Sequence, residues 1–269
     1  MQRARPPAVA GTFYDFDRES LGKQLDGFFS KTKKGSFPMV ISPHAGYAYS
    51  GKTAAQAVAG LRESKTYVII GPNHTGLGHD FSLMKRGNWE TPLGSVSIDH
   101  AAADEMLKHD FIEDDITAHL EEHSIEVMLP LLQKRFGKFS FVPLAVKNQD
   151  YSEAFRKKCI DLGKTLSRLV RTGKVSVIAS SDFSHYIPQD YADDKDEQAV
   201  EKILGLEMSG FFECLEKNDA SVCGFGPIAV VMAAAKILGM KAKLIGKSSS
   251  GDVTGDYNSV VTYYAIGFS

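Results

Sequence analysis

Three short apolar runs, each followed within a few residues by a histidine, constrain this chain more than any other feature. Tyr67-Val68-Ile69-Ile70 leads into Gly71-Pro72-Asn73-His74, and Met39-Val40-Ile41 leads through Ser42-Pro43 into His44. Val175-Ser176-Val177-Ile178-Ala179 leads into Ser180-Ser181-Asp182-Phe183-Ser184-His185. A proline ends a strand because it cannot donate to the ladder. Each histidine then lies on a loop just past a strand's carboxyl end. In open α/β sheets that edge holds the ligand sites, where strand order switches. If the three strands are parallel neighbours, the three imidazoles converge.

The length of 269 residues lies near the point, about 250–300 residues, where chains begin to divide. No Pro/Gly/Ser-rich linker separates two halves, so a single domain over 1–269 is expected. Hydrophobic content of 43% and charged content of 24% are ordinary for a globular protein. A net charge of −2 gives no electrostatic case for nucleic acid or an anionic membrane as partner. Cysteines number three (Cys159, Cys214, Cys223), an odd count that argues against a disulfide framework and suits a reducing compartment. No apolar segment like a signal peptide's follows Met1, and the longest apolar run, Ile228 to Leu238, carries Lys236. A cytoplasmic protein is the expectation.

Between the histidine-bearing strands, apolar spacing marks helices at Asp17–Ser30, Thr53–Leu61, Asp99–His109, Glu153–Arg171, Ala199–Met208, Gly210–Lys217 and Ile228–Leu238. A further helix is expected over Glu121–Leu132, kinked or broken by Pro130. Other strands are expected at Asp80–Met84, Val96–Ile98, Phe139–Val146, Lys241–Lys247 and Ser259–Phe268, the last two as an antiparallel pair. Trp89–Gly94 reads as turn, and Asp190–Lys195 as a charged lead into the helix after it. Strands alternating with helices give an α/β fold, a single α/β/α domain with a mostly parallel mixed central sheet and helices on both faces.

His44, His74 and His185 stand apart from His79, His100, His109 and His119, whose polar or helical contexts suit ordinary hydrogen bonding. Cys223 joins them as a candidate because Gly224-Phe225-Gly226-Pro227 follows it and opens an apolar helix. A thiol near a helix N-terminus should have a depressed pKa and be ready as a thiolate; the alternative is a buried cysteine acting as a small hydrophobe. Two imidazoles and a thiolate suit zinc, ferrous iron or copper. Asp182 fits a carboxylate that orients His185 as a general base, or a cap for the turn that follows. Glu122 and His123 either reach the pocket or form a solvated helix entry with Ser124 as a cap. Tyr47 and Tyr49 either line a pocket with Phe13 or simply pack. No His-Glu-x-x-His, P-loop or Gly-x-Gly-x-x-Gly pattern is present.

Taken together, Ala10-Gly11-Thr12-Phe13-Tyr14, Pro43-His44-Ala45-Gly46-Tyr47, Gly71-Pro72-Asn73-His74, Thr91-Pro92-Leu93-Gly94, Glu122-His123-Ser124-Ile125-Glu126, Ser180-Ser181-Asp182-Phe183-Ser184-His185 and Cys223-Gly224 resemble the Memo family. That family also supplies protein B of the AmmeMemoRadiSam system. The resemblance implies a fold like that of class III extradiol ring-cleavage dioxygenases, which carry a non-haem iron at the sheet edge. By the same resemblance His44, His74 and Cys223 match metal ligands, with Fe(II) expected and Cu or Zn as alternatives. His185, with Asp182, matches the catalytic pair, and Phe13, Tyr49, Glu122 and His123 fall beside the pocket. Those dioxygenases use two histidines and a carboxylate; a cysteine in the third place departs from them. The implied activity is metal-dependent redox or oxygen chemistry on a small molecule or peptide. Non-catalytic peptide or phosphopeptide binding is the alternative, and a Cys223–His185 hydrolase a third. The resemblance also implies a functional link to a radical-SAM protein and to AmmeMemoRadiSam protein A.

Overall fold

The structure is a computed structural model that describes residues 4–148 and 150–269. Among the described residues the chain begins with β1 (Ala4–Arg5), α1 (Arg18–Phe29), β2 (Met39–Ser42), α2 (Tyr47–Gly60) and β3 (Thr66–Pro72). The strands β4 (Phe81–Leu83), β5 (Asn88–Thr91) and β6 (Gly94–Ile98) precede α3 (His100–Met106), β7 (Glu113–Asp114) and α4 (Met128–Phe136). Next come β8 (Ser140–Val146), α5 (Glu153–Arg171), β9 (Val175–Ser180) and β10 (His185–Ile187). The chain closes with α6 (Gln189–Leu204), α7 (Met208–Asn218), α8 (Phe225–Leu238), β11 (Ala242–Ser249), α9 (Gly251–Thr254) and β12 (Val260–Phe268).

These strands build one sheet in the order β1-β5-β6-β8-β3-β9-β2-β12-β10, with β11 beside β12 and β4 beside β8. The centre, from β6 through β8, β3 and β9 to β2, is parallel. The β12 strand runs antiparallel to β2, β10 and β11. Every residue of β2, β3 and β9 is buried, as expected of strands covered on both faces. The two-residue side-chain period divides them between two cores. Val68 and Ile70 join Ile41 and Val177 under α5 and α8, while Tyr67 and Ile69 join Val40 and Ile178 under α2 and α4. The sequence-expected α/β/α sandwich is therefore observed.

Local signals account for the helix ends. Ser152 caps α5 by accepting the Phe155 N–H, Glu153 follows in the first turn, and Arg168 and Arg171 occupy the last, complementing the helix dipole. Four local expectations are corrected. The 121–132 segment is not a helix throughout: α4 starts only at Met128. Pro130 therefore lies in the first turn, where its missing N–H has no intrahelical acceptor to lose, and it is no kink. Trp89 belongs to β5, which forms an antiparallel hairpin with β6. The charged Asp190–Lys195 segment lies inside α6, and α2 begins at Tyr47 rather than near Thr53. No helix among the described residues is long and apolar enough to cross a membrane.

Candidate metal centre

Strand β9 lies between β3 and β2. The loops after β2 and β3 therefore bring His44 and His74 together from either side of the β9 end, with ring centroids 5.2 Å apart. Between them β9 ends in Ser180, and Ser181 and Asp182 follow. The convergence expected of the first two histidines is present at this edge.

Hydrogen bonds fix both tautomers. The Ser180 hydroxyl donates to the Ser124 carbonyl at 2.7 Å, so its oxygen must accept the proton of His44 Nδ1, 2.8 Å away. His44 Nε2 is thereby left as a bare lone pair. His74 Nδ1 donates to Glu122 Oε1 at 3.0 Å, which leaves its Nε2 bare as well. Glu122 also accepts the backbone N–H groups of His74 and Ser124. Desolvation raises the pKa of this fully buried carboxyl, but the His74 hydrogen bond and nearby charges outweigh it and hold the group at about 2. Glu122 is thus a buried anchor and not a solvated helix entry. Ser124 caps no helix: its hydroxyl donates to the Pro72 carbonyl. Gly71 makes room for this, since any side chain there would collide with the Ser124 hydroxyl.

Cys223 completes the group. Its Sγ lies 3.3 Å from His44 Nε2 and accepts the Asp182 N–H at 3.2 Å. Gly224 sets that approach, because a Cβ there would strike the Ser180 carbonyl and the Ser181 side chain. Asn148 braces the turn, donating to the Cys223 carbonyl and accepting the Gly226 N–H. The expected depression of the thiol pKa is not observed. Burial, and next the Asp182 carboxylate, push it well above the ordinary value. A helix terminus contributes about 0.3–1 kcal/mol, and the loss of solvent around this half-buried thiol together with the neighbouring carboxylate outweighs it. Forming the thiolate here calls for a cation beside it.

The donor atoms of His44, His74 and Cys223 all lie within 4.8 Å of one another. His74, Glu122 and His123 form a second group by the same measure, but there the Glu122 oxygens are already engaged by three N–H groups. The first set instead offers two imidazole nitrogens and a sulfur. Burial also holds His44 well below its ordinary pKa, which keeps that imidazole neutral. The residues present therefore fit a soft or borderline cation.

The remaining sequence candidates divide. A cavity of about 540 Å³ opens beside the group, lined by Phe13, Tyr49, His123, Asp182 and His185 together with His44 and His74. His123 stacks on His74 at 4.7 Å and Phe13 contacts His123 at 4.6 Å; burial lowers the His123 pKa to about 4. Tyr47 instead packs in the core and donates to the Val127 carbonyl. Asp182 is buried, with its pKa raised by desolvation to about 6, and its hydrogen bond goes to the His44 N–H at 2.8 Å. It does not orient His185. That role falls to Ser221, whose carbonyl accepts from His185 Nδ1 at 2.8 Å and whose hydroxyl accepts the His185 N–H. The reason is local: Phe183 and Ser184, between the two, are buried against β12 and α6, which turns His185 away from Asp182. The imidazole at the Cys223 thiol is accordingly His44, and the nucleophile–base pair of the hydrolase reading is not formed. Ser180, Ser124 and Ser221 carry no motif that marks them, since a hydroxyl and a carbonyl announce no partner in sequence. Of the histidines set aside, His109 bonds Thr165 and His119 bonds the Ser82 carbonyl, both outside this group.

The sequence model of a Memo-like protein family matches residues 5–267. A MEMO1 family protein of Methanopyrus kandleri is 42% identical over 98% of both chains. One from Methanosarcina acetivorans is 43% identical, covering 97% of this chain and 98% of its own. One from Pyrobaculum aerophilum is 41% identical over 99% of both. Among solved structures, an uncharacterized protein from Escherichia coli K12 aligns with a TM-score of 0.54 at 11% identity, covering 86% of this chain and 99% of that chain. At that identity the likeness speaks for the fold.

Proposed function

This chain belongs to the Memo-like protein family, and from that premise we propose that it is a metal-binding protein whose centre is formed by His44, His74 and Cys223. One observation carries the reading: ligand atoms of His44, His74 and Cys223 lie within 4.8 Å of one another, with hydrogen bonds setting both imidazole tautomers. A donor set of two imidazoles and a thiolate favours iron or copper, with zinc acceptable. Bound there, such an ion supplies positive charge and, for iron or copper, a partner for electron exchange. The chain's own residues do the rest. Ser180 and Glu122 aim the two imidazoles. Phe13, Tyr49 and His123 wall the cavity in which a ligand lies. His185, its Nδ1 proton held by Ser221, offers Nε2 to take a proton from that ligand. Metal-dependent redox or oxygen chemistry, of the dioxygenase-like kind, is the reaction class this arrangement supports.

The test is elemental analysis of tag-free protein alongside His74→Ala. Near-stoichiometric iron, copper or zinc in the wild type, lost in the variant, is expected; a wild type that takes up none of the three overturns the proposal. The aromatic lining of the cavity favours a second reading, a peptide-binding module. It predicts peptide binding that survives both chelation and Cys223→Ser, and binding that disappears with the metal counts against it.

A further inference from the structure

Three residues other than glycine adopt positive φ among the described residues: Tyr186, Leu206 and Asp219. Leu206 and Asp219 follow the ends of α6 and α7, where a left-handed residue turns the chain out of the helix and its N–H bonds back to the last turn. Tyr186 has no such duty. It sits inside β10 with φ 58°, a conformation disfavoured for a bulky side chain. Burial gives nothing back, because the residue is 77% exposed. Strain of this kind persists where the surroundings impose it, and it gathers at ligand sites.

The strand register shows how it is imposed. His185 pairs with Val261 and Ile187 with Val260, so Tyr186 is the extra residue of a β-bulge. In a regular strand, neighbours point to opposite faces. Here the bulge lets His185 and Tyr186 line the same space, their rings 5.9 Å apart. Bulges beside active sites re-aim side chains in this way. The space is double. Tyr186, His185 and His74 line both the cavity of about 540 Å³ and a second of about 490 Å³ that reaches Cys223. The walls opposite are also aromatic: Phe13, Tyr49 and Tyr263 in the first, Tyr151 and Phe225 in the second.

We propose that Tyr186 is a specificity-determining residue of this site, its ring held across the boundary of the two cavities to stack on a planar aromatic ring of the ligand. The assignment deepens the reading of the cavity as a ligand site and does not depend on which ion, if any, is present.

Ligand-observed NMR titration of the purified full-length chain, with and without added Zn(II), tests it using 4-methylphenol and its saturated counterpart 4-methylcyclohexanol. The wild type should prefer the aromatic probe by about three- to tenfold, the range of a ring–ring contact. Tyr186→Phe should keep that preference. Tyr186→Gly should abolish it while melting no lower than the wild type, because glycine adopts this φ without strain. A wild type with no preference, a preference that persists in Tyr186→Gly, or a Tyr186→Gly chain that melts lower overturns the assignment. Metal content in the same samples keeps the two proposals apart. A ring preference without metal uptake upholds the role of Tyr186 and removes the metal centre; metal uptake without a ring preference does the reverse.

Discussion

Two clusters of polar side chains, one around Arg5 and Glu126 and one around His44, His74 and Cys223, are built from similar groups and differ in what is left unused. In the first, Glu126 Oε1 accepts from Val9 N–H and Tyr14 OH, and Oε2 accepts from Arg5 and Ala8 N–H. Arg5 spends its other donors on the His119 and Glu122 carbonyls and lies 4.0 Å above the Trp89 ring. Both charges are fully enclosed, and each has its partners, which is the condition under which a buried ion pair is tolerated. The second cluster keeps two imidazole lone pairs and a thiol facing one another. A closed cluster is structure, and an open one is a site. The two are also linked, since Arg5 ties the first strand to the 119–126 segment that presents Glu122 to His74.

The contrast predicts opposite responses to mutation. Arg5→Met strands the Glu126 carboxylate in the core and should cost about 3–5 kcal/mol of stability in urea denaturation; a loss below about 1 kcal/mol means the pair is not closed. His74→Ala or Cys223→Ser should instead lower metal affinity by more than about a hundredfold, beyond the 10–100-fold typical of groups that merely orient a ligand. Cys223→Ser should leave the melting temperature of the metal-free protein nearly unchanged, and a large fall on calorimetry would place that residue on the structural side.

Acid should break the closed cluster through His119. Its Nε2 donates to the Ser82 carbonyl, its Nδ1 has no hydrogen-bond partner among the described residues, and burial lowers its pKa from 6.5 to about 4. Between those values the unfolded chain binds a proton that the folded one refuses. Stability is therefore complete above pH 6.5 and falls as the pH drops toward 4, by about 3 kcal/mol from this residue. His119→Gln should flatten that part of the pH–stability curve, and an unchanged slope would remove His119 as its source. The smallest effect concerns aim alone: Ser180→Ala frees the His44 tautomer and should weaken metal binding about tenfold, as read by competition with a chromogenic chelator. An unchanged affinity would mean that packing already orients the ring.

Much of this was legible in the residues themselves. The runs at 39–42, 66–72 and 175–180 read as strands because they are apolar on both faces, and Glu153–Arg171 reads as a helix from cap to basic last turn. His44 and His74 were legible as histidines delivered to one sheet edge, while Cys223 joined them as a ligand only through the family resemblance. The 120–127 segment was not: its apolar spacing suits a helix, but tertiary bonds from Glu122, Ser124 and Glu126 to the N-terminal segment and β3 hold it as turns. Nor was the placement of Asp182, which is three positions from His185 in sequence yet bonded to His44.

By itself the sequence determined the layers of the fold and the edge at which the site would lie, because hydrophobic period and strand-ending prolines are local properties. Only the tertiary structure decided which groups are spent and which remain open. Hydrogen-bond partners such as Ser180 for His44, Glu122 for His74 and Ser221 for His185 come from distant parts of the chain. The charge state of the half-buried Cys223 thiol likewise depends on what surrounds it rather than on the helix it precedes.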